Sequence, residues 1–182
     1  MTEELEKTSY QNLYPLMQHY SSLLFNGRVS IITICVLLWA YILGVAKDTN
    51  DSVVGIGPLT VTIKTLVALF AVFLIPMFSS IENAYFRRFL DTVMSGKILE
   101  RKYNLTAYFS HHRVVTAHPF FFFYCLNSTA FGLLFLYMLW HLNPWGLSLV
   151  LSLCITIPYI HLLRTYRRFL KWVREFEAVE SV

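Results

Sequence analysis

One segment of the chain places side chains that can do chemistry directly before a run of aromatic residues. It reads HHRVVTAHPFFFFYC, from His111 to Cys125. Arg113 and His118 are separated by four residues, the R-x4-H spacing that one class of metal-independent RNA-cleaving sites uses. In such a site the planar guanidinium binds a phosphate and the imidazole transfers a proton. Whether this pair is catalytic depends on the elements that would have to position it.

The composition of the chain indicates a membrane protein. Of its 182 residues, 56% are hydrophobic and only 14% are charged, whereas about a quarter of the residues in a soluble domain are charged. A chain of this length has little interior in which to bury so much apolar surface. The excess apolar surface is therefore expected to face lipid.

Four apolar segments carry this excess, at residues 29–46, 61–78, 120–140 and 147–163. Each is close to the roughly 17–25 residues that a helix needs to cross a bilayer. The segments lack the alternation of barrel strands, so helices are the structure that satisfies their backbone in lipid. The alternative, a soluble bundle of buried helices, would overfill its own core. We therefore predict an all-α integral membrane protein, a single membrane domain over residues 1–182 with four transmembrane helices.

The distribution of basic residues predicts the orientation of the four spans. Segment 79–118 contains six Lys and Arg residues and segment 164–182 contains five, against one in 47–60 and none in 141–146. Because cytoplasmic loops carry the excess of positive charge, both termini are expected in the cytoplasm. The cytoplasmic parts are predicted to be an amphipathic helix at 8–26, a helical segment at 79–118 and a helical tail at 164–182.

The basic side chains of these segments form a candidate cytoplasmic interface. Such a surface can bind anionic lipid, RNA or an acidic protein. Its members are Arg87, Arg88, Arg101, Lys102, Arg164, Arg167 and Arg168.

A few polar or small residues within the spans are candidates for a pore or for helix contacts. Lys64 lies near the outer end of the second span, where its stem can extend to the interface, and the alternative is a pore or gating charge. Asn127, Ser128 and Thr129 can form hydrogen bonds between helices or a polar ring in an oligomer. Gly44 follows Ala40 at the spacing of close helix contacts. The spans contain no Asp or Glu, which argues against a proton-coupled or cation-coupled transporter.

Three interpretations of Arg113 and His118 remain. They can be a basic collar at the membrane interface with His111 and His112, a ribonuclease site, or part of a histidine metal site. With nine arginines and six histidines in the chain, roughly one Arg followed by a His after four to six residues arises by chance. A catalytic site at the start of the third span would have to bind RNA at the headgroup level. We therefore favour the collar, and expect neither a metal, a cofactor nor a nucleic-acid partner.

The chain resembles small bacterial membrane proteins of anti-phage defence. The resemblance lies in an amphipathic N-terminal helix, four spans, and the basic helix ENAYFRRFLDTVMSGKILERKY after the second span, and it covers the architecture of most of the chain. Similar proteins include four-span effectors of nucleotide-signalling systems and membrane accessory proteins of RNA-targeting type VI CRISPR loci. Some of these accessory proteins oligomerise into pores, and one group carries a divergent R-x4-6-H motif.

The resemblance implies a non-enzymatic effector that acts as a homo-oligomer, by forming a pore or perturbing the bilayer. Its implied partners are the lipid bilayer, further copies of the chain and a soluble cytoplasmic defence protein. Two alternatives stay open: a membrane-anchored ribonuclease that uses Arg113 and His118, and a sensor or scaffold subunit that recruits a soluble partner to the membrane.

The charge distribution generates a test of the orientation. Reporter domains fused after Ser52 and Asn143 are expected outside the membrane, and fusions after Gly96 and Val182 inside it, because the basic segments stay in the cytoplasm. An alkaline phosphatase signal from the Gly96 fusion would contradict the whole arrangement.

Overall fold

A computed structural model describes residues 2–44, 53–105, 108–109 and 118–180 of the chain. In this part of the chain each of four helices contains a segment long and apolar enough to cross a membrane. The elements are α1 (Thr2–Ile42), β1 (Val53–Ile56), β2 (Leu59–Thr62), α2 (Ile63–Tyr103), α3 (His118–Leu142) and α4 (Trp145–Glu180).

The first helix is longer than the sequence predicted. We expected a separate amphipathic helix at 8–26 before a span at 29–46, but α1 is continuous from Thr2 to Ile42. Gly27 costs roughly 1 kcal/mol in a helix interior, and 40 other helical residues outweigh that cost. The helix ends where Gly44 takes a left-handed conformation, with φ at 72°, the conformation that glycine adopts after the last turn of many helices.

A short antiparallel hairpin precedes α2, which the all-α prediction did not include. Val53 pairs with Thr62 and Ile56 pairs with Leu59. Gly57, with φ at 60°, occupies the first central position of the turn, where positive φ matches the twist of the two strands. The second span was predicted from Val61, but that residue belongs to β2 and the helix begins at Ile63. Thr62 accepts a hydrogen bond from the backbone N–H of Thr65 (3.1 Å) and so caps α2.

The chain divides into two compact units. The apolar unit contains Val29–Ser80 and His118–Thr165. The basic unit contains Met1–Arg28, Ile81–Ala117 and Tyr166–Val182. Each unit has its own hydrophobic core.

The interior of the apolar unit is closely packed by small and branched side chains. α2 contributes Ala68, Ala71, Val72 and Ile75, all fully buried, which lets neighbouring side chains approach its backbone. Phe131 of α3 is equally buried. The outer surface is also apolar, with large exposed side chains on every helix: Val36, Leu37, Phe70, Phe73, Phe122, Leu133, Leu149 and Ile157.

The core of the basic unit is built from side chains of three helices. α1 contributes Met17 and Leu24, while Phe86 of α2 and Phe169 of α4 lie with ring centroids 5.3 Å apart. These residues lie on the apolar faces of the three helical segments that the sequence predicted to be cytoplasmic. The apolar faces of these helices therefore pack on one another within this unit.

Gly132 permits a close contact between α3 and α4 within the apolar unit. A Cβ atom at position 132 would lie 2.5 Å from the hydroxyl oxygen of Tyr159. That hydroxyl donates a hydrogen bond to the carbonyl oxygen of Ser128 (2.7 Å). The absent side chain at position 132 thus leaves room for the tyrosine to reach the α3 backbone.

We expect Gly132→Ala to lower the thermal stability of the protein in detergent. Overpacking costs about 1–3 kcal/mol, more than the roughly 0.5–1 kcal/mol that alanine gains over glycine in a helix. Gly146→Ala is the matched control, because its Cβ would meet no atom within 4 Å. Adding Tyr159→Phe to Gly132→Ala should recover part of the loss, and equal melting temperatures for the two alanine variants would refute the close contact.

Candidate functional site

The Arg113 and His118 pair falls at the edge of the described structure. Arg113 lies outside the described residues, as do His111 and His112. His118 is the first residue of α3, and only its backbone is described. Within the described residues no three His, Cys, Asp or Glu side chains are grouped as metal ligands.

The chain just before this segment is anchored by a buried carboxylate. Glu100, only 3% exposed, uses one oxygen to accept hydrogen bonds from the backbone N–H groups of Tyr108 (2.7 Å) and Phe109 (2.6 Å). The same oxygen accepts a hydrogen bond from the hydroxyl of Tyr10 (2.9 Å). Bonds to an ionised acceptor are stronger than those between neutral groups. Glu100 therefore joins α1, α2 and the turn that leads into segment 110–117.

Gly96 creates the space in which the Phe109 ring is buried. A Cβ atom at position 96 would lie 2.5 and 2.7 Å from the two Cδ atoms of that ring, and Phe109 is 1% exposed. The ring also meets Tyr10 edge-on, with centroids 5.6 Å apart. From the sequence Gly96 was only a weak point in a helix. Neither Gly96 nor Glu100 was among the predicted site residues.

Burial and the neighbouring carboxylate raise the pKa of Tyr10 to about 12. Burial disfavours the phenolate, and Glu100 both accepts a hydrogen bond from the hydroxyl and repels a second negative charge. The folded pKa lies above the unfolded value of about 10. This contribution to stability is therefore complete below pH 10 and disappears as the pH rises through about 12.

Lys102, one of the predicted interface residues, is engaged within the basic unit. Its ammonium lies 2.6 Å from a carboxylate oxygen of Glu6, and the hydroxyl of Tyr103 donates to the same oxygen. The hydrogen bond from Lys102, followed by that from Tyr103, lowers the pKa of Glu6. Both contacts join the end of α2 to the beginning of α1.

Arg87 and Arg28 also contact side chains of their own unit. The Arg87 guanidinium lies 5.1 Å from the ring centroid of Trp172, within the range of a cation–π contact. Arg28, which was not in the predicted set, contacts Glu82 through two nitrogens at 2.8 and 2.7 Å. The other predicted interface residues, Arg88, Arg101, Arg164, Arg167 and Arg168, are exposed.

The exposed basic residues of α4 in the basic unit share one face of the helix. Arg167, Lys171 and Arg174 are spaced by three or four residues, Arg168 borders them three residues before Lys171, and all four are exposed. Phe169, on the opposite face, is buried in the core of the unit. We call these four residues the α4 basic face.

The polar residues predicted for a pore or for helix contacts take different positions in the apolar unit. Asn127 accepts a hydrogen bond from the indole N–H of Trp39 (3.1 Å) and donates one to the carbonyl of Phe123 (3.0 Å). Ser128 is buried, whereas Thr129 is exposed. Gly44 ends α1, and a Cβ there would meet no atom within 4 Å, so it makes no close helix contact within the described chain.

Asn143 binds the hairpin in a way that the sequence did not reveal. Its amide accepts from the Thr60 N–H (2.8 Å) and donates to the Thr60 carbonyl (2.8 Å). The amide nitrogen of Asn143 also donates a hydrogen bond to the carbonyl of Leu139 (3.1 Å). The side chain thereby pairs with β2 as a neighbouring strand would and ties it to the end of α3. In the sequence it was only a turn residue next to Pro144.

The chain matches no protein-family model, and no curated protein or solved structure is significantly similar to it.

The Tyr10–Glu100 contact generates a test by pH. Relative to pH 8, the wild-type protein is expected to lose thermal stability between about pH 10 and 12, because the unfolded tyrosine releases its proton first. Tyr10→Phe should be less stable at pH 8 and should lose less between pH 8 and 11. Tyr20→Phe, on the same helix, is the control and should follow the wild type. Parallel stability profiles for wild type and Tyr10→Phe would contradict the assignment.

Proposed function

We propose that this protein is a non-enzymatic membrane effector that acts as an oligomer, by forming a pore or perturbing the bacterial inner membrane, with both termini in the cytoplasm. The observation that carries the proposal is the apolar outer surface of the apolar unit. The resemblance to four-span proteins of anti-phage defence supplies the biological class.

The outer surface of the apolar unit suits lipid. Large apolar side chains are exposed on all four helices, including Phe122, which is 68% exposed. Monomeric soluble proteins rarely expose continuous apolar patches above a few hundred Å². Trp140 and Trp145 are exposed and stack with centroids 5.5 Å apart, in keeping with the aromatic residues that border membrane spans.

The interior of the apolar unit argues that one chain alone has no aqueous path. The residues that could line such a path are used inside the unit: Asn127 binds Trp39, and Tyr159 binds the backbone at Ser128. The remaining interior is filled mainly by apolar side chains, with only small hydroxyl side chains such as Thr65, Ser128 and Ser148 buried among them in the described part. Conduction or bilayer disruption would then require several copies. Thr129, two residues after Asn127 in α3, is exposed on another face of the helix, where it can meet another copy.

The α4 basic face supports a role for a soluble cytoplasmic partner. Arg88, Arg101 and Arg164 add further exposed positive charge to the segments that were predicted to be cytoplasmic. An acidic protein surface is complementary to this charge. In this proposal, binding of such a partner activates the protein, and the apolar unit then forms the pore or perturbs the bilayer.

Two measurements test the proposal together. In mild detergents the purified protein should have the mass of a homo-oligomer, and its expression should depolarise the inner membrane and arrest growth. A strictly monomeric mass in every mild detergent would exclude the pore, because one closed bundle offers no path through its interior.

Substitutions in the opening motif separate this function from a ribonuclease. Arg113→Lys and His118→Gln should leave depolarisation nearly unchanged, because a basic and a polar residue remain at the membrane interface. The purified protein should cleave no RNA. RNA cleavage by the wild type that both substitutions abolish would favour the enzyme, since Lys cannot replace a bidentate Arg and Gln cannot transfer a proton.

A further inference from the structure

A groove runs along α4 in the basic unit, and its volume is about 460 Å³. The described residues that line it all belong to α4: Arg167, Leu170, Lys171, Arg174, Glu175 and Ala178. Because an α-helix has about 3.6 residues per turn, these positions share one side of the helix, away from the buried Phe169. At about 1.5 Å per residue the groove is about 16 Å long, or three helical turns.

The groove is positively charged, and two of its cations face solvent two helical turns apart. Its three cations and one carboxylate give a net charge of +2. Lys171 pairs with Glu175 on the same helix (3.7 Å), an exposed contact of the kind that contributes little. Arg167 and Arg174 are exposed and seven residues apart. A ligand with carboxylates two helical turns apart is therefore complementary to the two arginines.

The groove also contains apolar surface, which favours a protein as its ligand. Leu170 is half-buried and packs on the core of the unit, so that part of it remains accessible between the charged side chains. Ala178 is exposed, and its small side chain lets another helix approach closely. The phosphates of a nucleic acid or of a lipid headgroup would be repelled by Glu175 and would gain nothing from Leu170 and Ala178. An amphipathic helix gains from both the charged and the apolar parts.

A second copy of the chain does not supply the complementary charge. In the basic unit every carboxylate whose side chain the structure describes already contacts a group of its own copy; they are Glu6, Glu82, Asp91, Glu100 and Glu175. The charge of the groove therefore favours a different protein.

We propose that this groove binds an acidic amphipathic helix of the soluble cytoplasmic partner. Carboxylates two helical turns apart pair with Arg167 and Arg174, and apolar side chains between them contact Leu170 and Ala178. Grooves that accept the apolar face of a helix are a recurrent mode of binding between proteins. The inference rests on the partner in the proposed function and adds the form in which that partner is recognised.

The test uses the full-length protein in nanodiscs of phosphatidylcholine, with a fluorescent helical peptide of about 16 residues as the probe. One face of this peptide carries Glu at intervals of three and four residues beside Leu. A second peptide of the same composition has its Glu residues distributed around the helix. The wild type should bind the first peptide several-fold more tightly, as measured by fluorescence anisotropy.

Substitutions in the groove should change the Kd of the first peptide in defined directions. Arg167→Gln and Arg174→Gln should each raise it about three- to fivefold, the effect of one exposed ion pair. Ala178→Gln should also raise it, because a longer side chain keeps the peptide backbone away from α4. Glu175→Gln should lower it, because a carboxylate that repels the peptide is removed. Arg88→Gln, which removes an exposed arginine outside the groove, is the matched control and should leave the Kd unchanged.

Equal affinity for the two peptides, or an affinity that Arg174→Gln leaves unchanged, would overturn the helix site. Displacement of the peptide by a single-stranded RNA of equal net charge, or by a water-soluble short-chain phosphatidylglycerol, as effective as that by unlabelled peptide, would assign the groove to phosphate groups and overturn it too. Either result leaves the proposed function standing where the protein is oligomeric and depolarises the membrane. A monomeric protein that does not depolarise the membrane refutes that function even where the peptide binds.

Discussion

The structure depends on one constraint, that polar groups surrounded by apolar side chains need hydrogen-bond partners within the protein, to which the small buried hydroxyls of Ser128 and Ser148 are exceptions. An unpaired polar group in an apolar environment costs several kcal/mol. In the apolar unit this constraint accounts for three contacts between elements. The Asn127 amide accepts a hydrogen bond from the Trp39 indole, and the Tyr159 hydroxyl donates one to the Ser128 carbonyl. The Asn143 amide bonds both the N–H and the carbonyl of Thr60. Each contact joins two elements that apolar packing alone would leave free to slide.

In the basic unit, contacts of charged groups join the elements, but only some of the charged groups make such contacts. Exposed ion pairs contribute roughly 0–1 kcal/mol each, so pairs such as Lys102 with Glu6 fix positions more than they stabilise. Glu100 differs because it is buried and accepts three hydrogen bonds through one oxygen. Removing it would leave three donors without that acceptor. The α4 basic face lies outside this network. Its Lys171 pairs with Glu175 on the same helix (3.7 Å), while the exposed Arg167, Arg168 and Arg174 leave positive charge available to another molecule.

The spans could be predicted from the sequence because they depend on composition over a window of about 20 residues. The third and fourth apolar segments lie within helices. The helix of the first ends at Ile42, before the predicted end at residue 46, and the helix of the second begins two residues late, after a hairpin. That hairpin was missed because strands of four residues carry little periodicity. The continuity of α1 was missed because Asn26-Gly27-Arg28 resembles a helix end. The roles of Gly96, Glu100 and Asn143 could not be identified from the sequence, because each depends on a contact with a residue that is not a neighbour in the sequence. Gly96 makes room for Phe109, Glu100 binds Tyr10, and Asn143 binds Thr60.

The placement of ionisable groups limits what the apolar unit can do. Lys64 and His141 line a groove at the hairpin end of the unit, whereas His161 pairs with Ser80 (2.5 Å), where the segments of this unit in α2 and α4 finish. Between these ends the spans contain no Asp or Glu. A proton relay needs protonatable groups within reach of one another across the full depth of the membrane. In the described part of this unit these groups lie at the two ends, which argues against coupled transport through one chain and fits the proposal that several copies act together.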